Sequence, residues 1–197
     1  MDASGFLDEV KRKSGGTIVD EDLSPWDFGC QYGLPHIDLL TRGAYVKLDF
    51  VIMEELHFVV YRVPPRFLLV RAWSLYFRFL SFLRLFGNVP TGDARFDSVY
   101  FTQFVPPGEI GEVVSGGVKE KLWTLSPFFE FEMTRQVFRL LKLVDINGGY
   151  RPEDAIHDIN AMLDLAEHFS GPPEPFKLKK KPPASSLPLQ PPGIGGS

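Results

Sequence analysis

Asp93 and Asp97 stand one helical turn apart in Gly92-Asp93-Ala94-Arg95-Phe96-Asp97, a short acidic turn between an aromatic-rich helix and an apolar strand. Two carboxylates at that spacing can hold a divalent cation through oxygen ligands, or share acid and base work. The same residues have a structural use. Gly92-Asp93 favours a turn, Phe96 is a core-type side chain, and Asp97 can accept backbone N–H bonds where the next strand begins. No His, Lys or Ser is placed in sequence to complete a catalytic set, so the structural use is the expectation for Gly92, Asp93, Phe96 and Asp97.

Other chemistry is sparsely represented. His36, His57, His157 and His168 are scattered; His57 follows Glu54 and Glu55 in a strand-like run. His157 and His168 share a face of the last predicted helix but lie about three turns apart, too far to ligate one metal. Cys30 is the single cysteine, which rules out an intrachain disulfide and suits a reducing compartment. The chain contains no Gly-x-Ser-x-Gly elbow, Walker loop, His-Glu-x-x-His or Cys-x-x-Cys. Gly108-Glu109-Ile110-Gly111 follows a strand and opens a helix, where a phosphate could sit, but Glu109 would repel it. The expectation is no metal and no cofactor; the missing motifs lean away from an enzyme, and an enzyme of unrecognised type stays open as a third reading.

The formal charge of -4 disfavours nucleic-acid binding, which rests on neutralising phosphates. The basic clusters Lys11-Arg12-Lys13 and Lys179-Lys180-Lys181 read as solvated runs in loops or tail. The N-terminal stretch lacks a basic region followed by an apolar one, so no signal peptide is expected and a cytoplasmic location is the default.

These residues need elements to position them. Hydrophobic residues make up 44% of the chain and include 18 Phe, enough for one sizeable core. Residues 1–35 read as an N-terminal arm with a short helix from Gly5 to Lys13, and 36–170 as a single domain. Residues 171–197, dense in Pro, Gly and Ser, read as a disordered spacer. Within the domain, Ile37 to Phe50 alternates around a hairpin turn at Arg42-Gly43, and Leu56 to Val63 and Phe67 to Ala72 are strand-like. Ser74 to Phe86 is a helix with a wide apolar face, its polar stripe carried by Ser74, Arg78 and Ser81. Ser98 to Val105 is a strand, and a helix runs from Gly108 to about Leu125, weakened at Gly116-Gly117. Phe129 to Met133 and Val137 to Val144 form a hairpin with Phe129, Phe131 and Met133 inward. Pro152 opens the last helix, which buries Ile156, Ile159, Met162, Leu163, Ala166 and Phe169. The order predicts an α+β fold, an antiparallel sheet with helices packed mainly on one face.

The Gly-Asp-x-x-Phe-Asp turn, the strand Val99 to Phe104, the helix through Leu122, the hairpin and the closing helix with Leu165-Ala166 resemble a group of bacterial proteins. The likeness covers roughly residues 74–170. It implies a bacterial α+β domain of unknown function and supplies no catalytic residues. Two other readings remain. One is a non-enzymatic module that docks a protein partner. The other is a peripheral membrane protein that lays residues 74–86 on a bilayer surface. Spanning is disfavoured, because Arg71, Arg78 and Arg84 would each cost about 2.5–3.5 kcal/mol near the bilayer centre.

Overall fold

The computed structural model describes residues 1–18, 35–52, 55–61, 67–72, 88–105, 113–134 and 137–170. In chain order the elements are α1 (Ala3–Lys13), β1 (Thr17–Ile18), β2 (His36–Thr41), β3 (Ala44–Ile52), β4 (Glu55–Tyr61), β5 (Phe67–Ala72), α2 (Ala94–Val99), β6 (Tyr100–Val105), α3 (Gly116–Thr124), β7 (Glu130–Met133), β8 (Val137–Leu143) and α4 (Pro152–Ser170). The strands form one sheet of eight in the order β1-β2-β3-β4-β8-β7-β5-β6. Every neighbouring pair is antiparallel. The fold is α+β, with the described helices packed largely on one face.

Alternation along the strands decides which face is which. Leu48, Phe58, Leu140, Phe131, Val70 and Thr102 line up in one row across six strands, and all are buried. Phe6, Leu7 and Val10 of α1, Phe96 of α2, Val118 and Leu122 of α3, and Ile159, Met162 and Leu165 of α4 join the same core. Burying each such large side chain is worth about 1.5–3 kcal/mol. The adjacent row on the opposite face, Asp49, His57, Leu141, Glu130, Arg71 and Phe101, is mostly polar. A smaller cluster of Tyr45, Val59, Tyr61 and Val137 also lies on that face. Burial pushes the Tyr61 hydroxyl up to about 12.

The β2–β3 hairpin turns at Arg42-Gly43, where φ is 49° and 71°. Two consecutive left-handed residues match the twist of the flanking strands. Arg42, a costly residue there, is held by Asp164 at 2.7 Å and Glu167 at 2.8 Å, which ties the hairpin to α4. At the far edge, Val89 N–H donates to the Thr102 carbonyl at 2.8 Å, and the Asn88 side chain accepts from Thr102 N–H at 3.1 Å. Those two bonds satisfy outward backbone groups at the middle of β6, the last strand in the order.

Several local expectations shift. The predicted strand at Ser98 starts at Tyr100, because Asp93 caps a short helix through Val99. The predicted long helix reaching Leu125 appears as α3 from Gly116, with Ser115 at its N-cap; residues 106–112 lie outside the described residues. Phe129 is 38% exposed rather than inward, because Phe128 takes the core position and stacks on Tyr100 at 4.4 Å. Within the region read as an arm, α1 packs into the domain core. Lys11, Arg12 and Lys13 occupy its last turn, where cations complement the helix dipole; Lys13 also pairs with Glu9 at 3.0 Å. Cys30, the amphipathic segment 74–86, Gly108 to Gly111 and the tail 171–197 lie outside the described residues. Among the described residues, no helix is long and apolar enough to cross a membrane.

Candidate functional site

Gly92 has φ of 81°, a left-handed conformation that glycine enters at little cost. That turn aims the Asp93 side chain back along α2, where its Oδ1 accepts N–H bonds from Arg95 at 3.0 Å and Phe96 at 3.1 Å. Asp97 closes the loop from the other side. Its Oδ1 accepts from Thr91 N–H at 2.9 Å and the Thr91 hydroxyl at 2.8 Å, and its Oδ2 accepts from Gly92 N–H at 3.2 Å. The two carboxylates are thus engaged by backbone and by Thr91. The Lys119 ammonium stands 4.0 Å from Asp93.

Between them Phe96 is fully buried, 5.1 Å from the Tyr100 ring and 5.7 Å from Trp123. The Tyr100 hydroxyl lies 2.7 Å from Ser126 Oγ. On the outer side, the Arg95 guanidinium lies 4.9 Å from the Trp123 ring centroid, and Val99, one turn further along α2, is 41% exposed. The structure therefore brings Gly92, Asp93, Phe96 and Asp97 together as one capped turn. Removing either carboxylate is expected to lower stability: about 1 kcal/mol for Asp93→Ala, as for a lost N-cap, and about 1–2 kcal/mol for Asp97→Ala, which removes a charged acceptor from the part-buried Thr91 amide and hydroxyl and from the exposed Gly92 amide. Urea denaturation of both variants measures this.

A second polar cluster escaped the sequence reading. Lys142 Nζ donates to Asp158 Oδ2 at 2.7 Å, and the Tyr150 hydroxyl donates to the same oxygen at 2.5 Å. Lys142 and Asp158 are both buried under α4. Burial pushes the Asp158 carboxyl up, against the opposing pull of Lys142 and Tyr150. Burial, together with the Asp158 charge, drives the Tyr150 hydroxyl well above its ordinary range. The available signal was phase: Lys142 continues the inward series Phe138, Leu140, and Asp158 sits among Ala155, Ile159 and Met162 on the apolar stripe of α4.

On the opposite face of the sheet, a cavity of about 80 Å³ is lined by His57, Val59, Glu130, Arg139 and Leu141. His57 pairs across to Asp49 and Leu141, and among the described residues its buried Nε2 has no hydrogen-bond partner. Arg139 lies 3.6 Å from Glu132, and Arg71 pairs with Glu130. Burial lowers the His57 pKa, and Asp49 acts in the opposite direction. The fold therefore resists protonation that the unfolded chain accepts. Stability from this group is full above the unfolded value of 6.5 and is lost as pH falls through the lower folded value. His57→Gln is expected to flatten the fall in urea midpoint between about pH 7 and 5, measured against wild type.

The other histidines do not join it. His36 pairs opposite Asp49 at the start of β2, and His157 and His168 lie exposed on α4. Among the described residues, no group of three or more His, Cys, Asp or Glu is placed to hold a metal ion.

No family model and no curated protein matches the chain. Among solved structures, the chain is similar to the mycobacterial trehalose monomycolate transport factor A, TtfA. The TM-score is 0.57 at 8% identity, over 88% of this chain and 97% of that one. At that identity the likeness is one of fold.

Proposed function

We propose that this chain is a non-enzymatic module that works by docking a protein partner. The observation that carries this reading is the division of labour at the Gly92–Asp97 turn. Its acidic groups point at their own backbone and stiffen the loop, while Arg95 and Val99 face outward. A stiff frame presenting an aromatic-backed arginine and an apolar side chain is the composition of an interface hot spot, because little ordering entropy is lost on binding. The fold likeness adds direction. TtfA is named as a transport factor, so the soluble parts of bacterial transport assemblies are the first partners to try.

The test uses the full chain as bait in a lysate of the organism that encodes it. One protein recovered near one-to-one, and recovered again when both purified proteins are mixed, is the expected result. Recovery of bait alone, under conditions where the bait is folded, overturns the reading.

A further inference from the structure

We infer that the surface formed by Arg95, Val99 and Trp123 docks a protein segment presenting a carboxylate beside an apolar side chain, an inference that rests on the docking-module reading above. Trp123 is held by edge contacts to Phe96 at 5.7 Å and Tyr100 at 5.6 Å, with interplanar angles of 86° and 63°. The indole is therefore a fixed platform, and Arg95 lies over it at 4.9 Å. A guanidinium held over an aromatic ring keeps in-plane N–H donors that can meet a carboxylate bidentately. Among the described residues no carboxylate forms an ion pair with Arg95, whereas Arg12, Arg42, Arg71, Arg139 and Arg151 each have an acidic partner. The neighbouring Asp93 is turned inward onto the α2 amides and faces Lys119.

Charge complementarity thus assigns an acid to the occupant. Val99, one helical turn from Arg95 and 41% exposed, assigns it an apolar neighbour. A polyanion fits less well, because the surface offers the single Arg95 guanidinium beside the apolar Val99, enough for one carboxylate and not for a run of charges.

The experiment follows the indole N–H signal of Trp123 in the full chain, identified with a Trp123→Phe variant. The probes are two pools of blocked heptapeptides, apolar residues flanking a central Asp or Glu in one and a central Lys in the other. The acidic pool is expected to shift the Trp123 signal and the Lys pool to leave it in place. Arg95→Glu should weaken the acidic response at least about tenfold, and Val99→Asp should weaken it while the fold, checked by thermal unfolding, persists. An equal response to both pools, no response to either, or an unchanged response in Arg95→Glu overturns the inference. A shift caused by anionic phosphatidylglycerol vesicles in place of the acidic pool also overturns it. A stoichiometric partner captured equally by wild type and Arg95→Glu would sink this surface and leave the docking-module reading standing. A response to the acidic pool with no partner captured would do the reverse.

Discussion

Asp158→Ala is expected to destabilise the fold by about 3–5 kcal/mol, a large share of a domain's total stability. The substitution strands the Lys142 ammonium, 8% exposed, beneath α4 and leaves the Tyr150 hydroxyl without its acceptor. Water reaches neither group readily, so the loss is not refunded by solvation. The magnitude comes from the orphaned charge and not from the intrinsic worth of the pair, and a double variant separates the two. In Lys142→Met with Asp158→Leu, both charges are replaced by apolar groups of similar volume and only the Tyr150 hydroxyl still lacks its acceptor, so most of the loss is expected to be recovered, with a shortfall of about 1–3 kcal/mol that Tyr150→Phe in the same background removes. Chemical denaturation of the single and double variants reads both outcomes. Equal losses in the two would show that shape, not charge, is what the cluster supplies.

Phe96→Ala is the second large effect, expected at about 3–5 kcal/mol. Phe96 is fully buried and touches Tyr100 and Trp123, which touch one another, and Tyr100 also stacks on Phe128. Deleting the ring opens a cavity among large, rigid aromatic groups, which collapse poorly to fill it. Phe96→Leu keeps most of the volume and is expected to lose far less. The consequence reaches beyond stability, because Trp123 is the platform on which Arg95 rests. A Phe96→Ala chain that still folds should show a broadened Trp123 indole signal, measurable without any ligand.

The two variants probe opposite ends of what a linear reading can reach. Phe96 was visible as a core residue because the signal that marks it is local, a turn-forming glycine and aspartate before it and a strand just after it, although its partner Trp123 is distant in sequence. Lys142 and Asp158 each fall in the inward phase of their own segment, but nothing local pairs one with the other. They become a buried pair only when α4 lies across β8.

Short-range chemistry determined much of this protein in the sequence itself. Alternation marked β2, β3 and β7, β-branched and aromatic content marked β4 and β5, β8 followed as the second arm of a hairpin, Arg42-Gly43 marked a tight turn, and Pro152 with Glu153 and Asp154 marked the start of α4. Each of those signals depends on neighbours a few residues away, whose sterics and hydrogen bonds act before any tertiary contact forms. Tertiary structure alone decided the rest. The β7–β8 hairpin, late in the chain, inserts between β4 and β5, and Arg95 meets Trp123 across two elements. Strand pairing is nearly indifferent to side-chain identity along the hydrogen-bonded edge, so the order of the sheet is chosen by how the whole apolar face is covered, a sum over distant residues that no local pattern contains.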